Sequence, residues 1–208
     1  PTPDYVYLPE LADDPRRAIT VDQLMRMSSG LEFSEDYGDL GSDVVQMLYN
    51  TSDMAAYSAA KPLVAEPDNV WNYASGTPNI LMRLMREITG DDVIAYWAFP
   101  QEALFHRIGV QSVIIEPDAS GTLVGSSYMY ATARDWARFG LLFLQDGVWN
   151  GERILPEGWV AYSRTPTPPS LGEYGGLWWL NADEPANSQT REWPDAPDDI
   201  YYASGHDG

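Results

Sequence analysis

Hydrophobic positions recur at helical spacing along most of the chain and gather into short strand-like runs only in its later part. Behind Thr20, the residues Val21, Leu24, Met25 and Ser28 share one helical face, and Thr20 with Gln23 has the spacing of a capping box. A helix is predicted there, ended by Gly30. Ser42 is placed to cap a short helix through Asn50, with a further helical turn or two in 51–60. The clearest helix runs from Asn79 to Thr89, with Pro78 near its first turn and Gly90 just past its end. Two more are expected at about 91–98 and 101–108, the second closed by Gly109. Thr132 with Asp135 caps a long amphipathic helix through Ala137, Leu141, Leu142 and Leu144 to Gly147. Pro156 opens another around Trp159. Strands are expected around Val113-Ile114-Ile115, in 121–130, at Gly176 to Leu180 and in 200–206. Loops fill 1–18, 31–41, 164–173 and 181–199. Helices first and strands late is an α+β order, and not an alternating parallel one.

Composition narrows the chemistry. The 208 residues hold 44% hydrophobic and 12% aromatic side chains, enough for a buried core. No run of about 18 apolar residues exists, so no membrane-spanning helix is expected. Lys plus Arg is 12 against 31 for Asp plus Glu, a net charge of −19. A surface that negative repels phosphate backbones and anionic lipids, so neither nucleic acid nor a membrane is expected as partner. Cysteine is absent, and the histidines are His106 and His206. Disulfides, thiol catalysis and multi-histidine metal sites are thereby excluded, and no metal or organic cofactor is expected. The chain opens on Pro1, and Tyr201 to Gly208 reads as a strand running off the end, so the sequence is expected to be an internal piece of something longer.

Neither a P-loop nor a Gly-x-Gly-x-x-Gly, an EF-hand loop or a Gly-x-Ser-x-Gly elbow occurs. The acid pairs Asp13-Asp14, Asp91-Asp92 and Asp198-Asp199 sit at helix starts or in loops, where capping and solvation account for them. What remains is Trp71-Asn72-Tyr73-Ala74-Ser75-Gly76, a tyrosine and a serine flanking one residue just before a helix. A phenol has a reference pKa of about 10 and is a poor base unless a nearby cation holds it as phenolate. Beside a lysine it can take a proton from a serine nucleophile and return it to a leaving group. Aromatic packing accounts for Trp71 and Tyr73 equally well on this segment alone.

The segment with its helix resembles the second motif, Tyr-x-Asn/Ser, of the serine β-lactamase and penicillin-binding-protein superfamily. Ile19 to Leu31 is similar to that family's "I-T-x-x-x-L-L-x-M-T-S-G-L" helix, Tyr130 to Gly140 to its "x-A-T-A-R-D-L-A-R-F-G" segment, and Val148 to Pro156 to the "W-N-G-x-R-I-L-P" that follows. Gly205-His206-Asp207-Gly208 resembles the third motif, Lys-Thr-Gly or His-x-Gly, on a strand edging the active site. Ser75 stands where the penicillin-recognising enzymes have asparagine, and His206 where they have lysine. With Trp71 leading the motif, the chain looks most like the 6-aminohexanoate-dimer hydrolase and esterase branch. In that branch a tyrosine in the loop after the first helix contacts the amide substrate, and Tyr37 in Glu35-Asp36-Tyr37 matches it.

The resemblance implies a β-lactamase-like domain spanning 1–208, mainly helical over 1–165 and with sheet strands and loop over 166–208. It implies a serine hydrolase that forms an acyl-enzyme on small amides or esters. Tyr73 would be the general acid/base, Ser75 a partner near the leaving group, and His206 an orienter of substrate or tyrosine. Gly208 would leave the strand edge open to a substrate carbonyl. The family's nucleophile motif, Ser-x-x-Lys, belongs upstream of the first matching helix. Ser58-Ala59-Ala60-Lys61 is a literal match holding the chain's single lysine, but it follows that helix, and Pro62 disfavours helical geometry at Lys61. It reads as a solvated loop, and the true pair is expected before Pro1. A penicillin-recognising enzyme and a non-catalytic binding member of the same fold stay open as alternatives. The motifs are silent on oligomeric state.

Overall fold

The structure is a computed structural model and describes residues 14–90, 92–181 and 192–205. The described residues form seven α-helices: α1 (Val21–Met25), α2 (Asp43–Asn50), α3 (Met54–Ala59), α4 (Gly76–Thr89), α5 (Val93–Pro100), α6 (Ala133–Leu144) and α7 (Trp159–Arg164). Six short strands pair antiparallel in twos: β1 (Ile114–Ile115) with β2 (Met129–Tyr130), β3 (Val148–Trp149) with β4 (Glu152–Arg153), and β5 (Trp179–Leu180) with β6 (Tyr201–Tyr202). The chain divides into two units. One takes Pro1–Glu32, Pro62–Tyr73 and Ala161–Gly208, the other Phe33–Lys61 and Ala74–Val160.

In the first unit the capping box forms as the sequence predicts. Gln23 N–H donates to Thr20 Oγ1 at 3.2 Å, and Thr20 N–H to Gln23 Oε1 at 2.9 Å. The helix then ends earlier than Gly30. Met27 takes the left-handed conformation at φ 58°, Ser28 N–H donates to Gln23 O at 2.9 Å and Met27 N–H to Leu24 O at 3.2 Å, the two bonds of a Schellman ending. Gly30 serves a different need: at φ +77°, a Cβ there would lie 2.1 Å from Ala65 O. The segment 62–73 runs back along this turn through the Leu31–Leu63 bridge and the bond from Asn72 N–H to Met27 O at 2.9 Å. Trp179 pairs with Tyr202 and Leu180 with Tyr201, so the two strands expected last are present but shorter than predicted.

In the second unit α3 lies against α4. A Cβ on Gly76 would stand 2.7 Å from Ser58 Oγ and 2.8 Å from Phe33 Cε2, so only glycine fits that crossing. The helix predicted from Asn79 begins three residues sooner. The first-turn N–H groups of a helix lack internal acceptors, so Pro78 sits there at no cost. The two helices expected at 91–98 and 101–108 form one run: α5 passes Pro100 into a π turn at Gln101–Phe105 and a 3₁₀ turn at His106–Ile108, closed by Gly109 at φ 73°. Its inner face joins Phe105, Ile108, Val110, Val113 and Leu142 in a buried cluster. Thr132 caps α6, yet Asp135 does not complete the predicted box. Its carboxylate instead accepts Gln111 N–H, Ser112 N–H and Ser112 Oγ–H at 3.2, 2.9 and 2.7 Å, while Thr132 N–H goes to Ser112 Oγ.

Candidate active site

Tyr73 and Ser75 stand two residues apart along the chain, but each is fixed by its own unit. In the first unit, the bond from Asn72 N–H to Met27 O holds the backbone ahead of Tyr73. The Tyr73 ring lies 4.9 Å from the Trp179 ring, tilted by 32°, and 5.8 Å from Tyr174 at a near-perpendicular 77°. Trp71 closes the group, 5.8 Å from Tyr174 and 6.0 Å from Trp179. Tyr174 is 3% exposed, and burial, with the neighbouring Tyr73, pushes its phenol well above the ordinary tyrosine value. Tyr174 therefore stays neutral at every ordinary pH and serves as a wall. The wall leaves Tyr73 as the group's partly exposed phenol.

In the second unit Ser75 occupies the residue before α4 without capping it through its side chain. Its hydroxyl turns to Glu35, donating to Oε1 at 2.5 Å, while its own N–H donates to Oε2 at 2.9 Å. Tyr37, in the same loop as Glu35, donates its hydroxyl to Oε1 at 3.2 Å. Two of the residues picked from the motifs, Ser75 and Tyr37, thus meet on one carboxylate. Burial raises the Glu35 carboxyl above the ordinary glutamate value, and the hydrogen bonds from Ser75 and Tyr37 restrain that rise. Behind Ser75, the buried Asn79 donates to Ser75 O at 2.8 Å and Ser126 Oγ at 3.0 Å and accepts from Gly125 N–H at 3.0 Å. That brings the turn at Gly125 against α4, where a Cβ would lie 2.5 Å from Pro78 O.

The decoy motif takes a structural part, and not the solvated loop expected of it. Ser58 is 2% exposed inside α3, its hydroxyl donating to Met54 O at 2.8 Å. The helix has ended by Lys61, whose ammonium donates to Asp43 and, at 2.9 Å, to Tyr57 OH. His106 is exposed in its 3₁₀ turn. His206 and Gly208 lie outside the described residues. Among the described residues no group of three or more His, Asp or Glu is placed to hold a metal ion, and no helix is long and apolar enough to cross a membrane. Glu35 is the residue that the motifs do not point to, although it stands inside the Glu35-Asp36-Tyr37 segment that supplied Tyr37.

Residues 4–208 match the family model for Beta-lactamase. A 6-aminohexanoate-dimer hydrolase from Paenarthrobacter ureafaciens is 26% identical over 209 residues, 87% of this chain and 51% of that protein. A Bacillus anthracis structure assigned as a 6-aminohexanoate-dimer hydrolase aligns with a TM-score of 0.68 at 26% identity, over 84% of this chain and 50% of the other. A D-stereospecific amidohydrolase from Streptomyces shares the fold at 19% identity and a TM-score of 0.56, over 79% of this chain and 57% of its own. The chain spans about half the length of that Paenarthrobacter hydrolase. The expected α+β architecture of β-lactamase type is borne out.

Proposed function

The chain belongs to the beta-lactamase family, and from that premise we propose that the whole protein is a serine hydrolase acting on small amides or esters through an acyl-enzyme. The observation that carries this reading is the setting of Tyr73-Ala74-Ser75. The phenol stands in an aromatic group with a neutral tyrosine beside it, and the serine hydroxyl at the head of α4 is spared from capping. The names of two relatives, the 6-aminohexanoate-dimer hydrolases of Paenarthrobacter ureafaciens and Bacillus anthracis, support the substrate class.

The nucleophile is the serine of a Ser-x-x-Lys motif outside residues 1–208, since Ser58 and Lys61 are engaged elsewhere. Its oxygen attacks the acyl carbon while its proton passes to the Tyr73 oxygen, kept as phenolate by the adjacent lysine. Tyr73 returns that proton to the leaving nitrogen or oxygen as the C–N or C–O bond breaks. Water then adds to the acyl-enzyme ester, its proton moving through Tyr73 to the departing serine oxygen. Ser75 hydrogen-bonds near the leaving group and Tyr37 contacts the substrate, while the family resemblance assigns His206 to orienting substrate or tyrosine and Gly208 to the acyl carbonyl. These steps use neither metal nor organic cofactor.

Tyr73→Phe in the whole protein tests the assignment. Losing the proton carrier should lower turnover at least ~100-fold, the usual scale for removing such a group. The melting temperature should hold, because only a hydroxyl is lost. Turnover within a few-fold of the parent protein would remove Tyr73 from the reaction.

A further inference from the structure

Glu35 comes 40 residues before Ser75 yet takes both of that residue's donors, the hydroxyl at 2.5 Å and the backbone N–H at 2.9 Å. The Tyr37 hydroxyl at 3.2 Å adds a third donor to the same carboxylate. A serine hydroxyl has one proton and two acceptor lone pairs. With the proton given to Glu35, Ser75 Oγ can meet any other partner only as an acceptor. Ser75 is 4% exposed, and the bond from Asn79 to its carbonyl fixes its backbone from the other side. The direction of the hydroxyl is therefore set before a substrate arrives.

We infer that Glu35 is a positioning residue that holds the Ser75 hydroxyl as an acceptor, and that the site thereby favours leaving groups that carry an N–H. The inference rests on the proposed place of Ser75 near the leaving group. A secondary amide nitrogen has a proton to donate to Ser75 Oγ. An ester oxygen has only lone pairs, and these would face the lone pairs of Ser75 with no bond to gain. An N-methylated tertiary amide has the reactivity of an amide without the donor, so it falls with the esters in this respect. An unmatched polar contact at a hydroxyl as buried as that of Ser75 costs more than a mere absence of attraction, which gives the discrimination its size.

Glu35→Gln in the whole protein is the test. The glutamine NH₂ can donate to Ser75 Oγ, which frees the serine proton and removes the acceptor bias. With three substrates sharing one acyl group, kcat/KM for the secondary amide relative to the ester should fall about 10-fold, the scale of one well-placed hydrogen bond. The ratio of tertiary amide to ester should stay within about 2-fold, and the melting temperature should hold. Ser75→Ala should lower the same ratio as far, and Glu35→Gln on that background should add nothing. The alanine variant decides the matter if the glutamine variant does not fold. Equal losses on all three substrates, or an unchanged ratio in an active enzyme, would overturn the positioning role and leave the proposed hydrolase standing. A parent protein that cleaves none of the substrates would overturn the proposed function, and this inference with it.

Discussion

Replacing Lys61 with methionine separates a structural lysine from a catalytic one. The Lys61 ammonium donates to Asp43 and to Tyr57 OH and sits 4.1 Å from the centre of the Tyr57 ring. The Lys61 and Asp43 side chains are 20% and 17% exposed, so the pair lies between a buried and a surface ion pair. Charge-assisted hydrogen bonds contribute about 1.5–3 kcal/mol and exposed pairs about 0–1. In the variant Asp43 keeps the Tyr57 hydroxyl at 2.8 Å and the Ser34 N–H at 2.9 Å, so its charge is not orphaned. The expected cost is about 1–2 kcal/mol, a fall in melting temperature of roughly 2–8 °C. Burial alone would raise the Asp43 carboxyl, but the bonds from Lys61, Ser34 and Tyr57 outweigh it and bring it below the ordinary aspartate value. Burial likewise lowers Lys61, and Asp43 with Tyr57 reverses that to a value above the ordinary lysine range. The stabilisation is then fully present from about pH 4 to pH 10 and is lost as pH falls through the lowered Asp43 value or rises through the raised Lys61 value. Thermal melts of parent and variant across pH should differ over that window and converge in acid. Ester hydrolysis by the whole protein should stay within a few-fold. A loss of ~100-fold or more at an unchanged melting temperature would make Lys61 catalytic and refute the reasoning.

Other substitutions probe the packing. Leu142 is wholly buried among Phe105, Ile108, Val110 and Val113, so Leu142→Ala should cost about 2–5 kcal/mol in urea unfolding; a cost under about 1 kcal/mol would contradict the cluster. Hydrogen bonds from Ser112 foremost, with Gln111 and Arg138, lower the Asp135 carboxyl to about 2. Its stabilisation is present above the ordinary aspartate value near pH 4 and drains away as pH falls toward 2, so Asp135→Asn should flatten the acid limb of the stability profile there. An unchanged acid limb would show that the Ser112 bonds do not hold the carboxylate.

Short-range signals in the sequence are kept unevenly: Ser42 takes the position before α2 but makes no side-chain bond to cap it. The Thr20–Gln23 box needs only three residues' spacing, and it forms. The end of the same helix was hidden because a methionine, Met27, takes the left-handed position that glycine usually marks. Gly30 answers to Ala65, a contact 35 residues away that no local pattern encodes. The β3–β4 hairpin, absent from the expected strands, has a local signal of its own: Asn150-Gly151, both at positive φ, is the favoured pair for a tight two-residue turn. Asp135 looked like a capping-box acid, but Ser112 draws its carboxylate away with an N–H and a hydroxyl from 23 residues earlier in the chain. The site divides in the same way. Tyr73, Ser75 and Tyr37 follow from motif resemblance, whereas Glu35 is one of 31 acidic residues and no motif marks it. Its meaning lies in a partner 40 residues on, visible only once the chain is folded.

The most direct measurement is the site of covalent labelling in the whole protein by a fluorophosphonate probe, mapped by digestion and mass spectrometry. A serine hydrolase of the proposed kind should carry one label, on the serine of a Ser-x-x-Lys motif outside residues 1–208, and none on the enclosed Ser58. Label on Ser58, abolished by Ser58→Ala, would contradict the assignment of the nucleophile and, with it, the roles of Tyr73 and Ser75 in the proposed reaction.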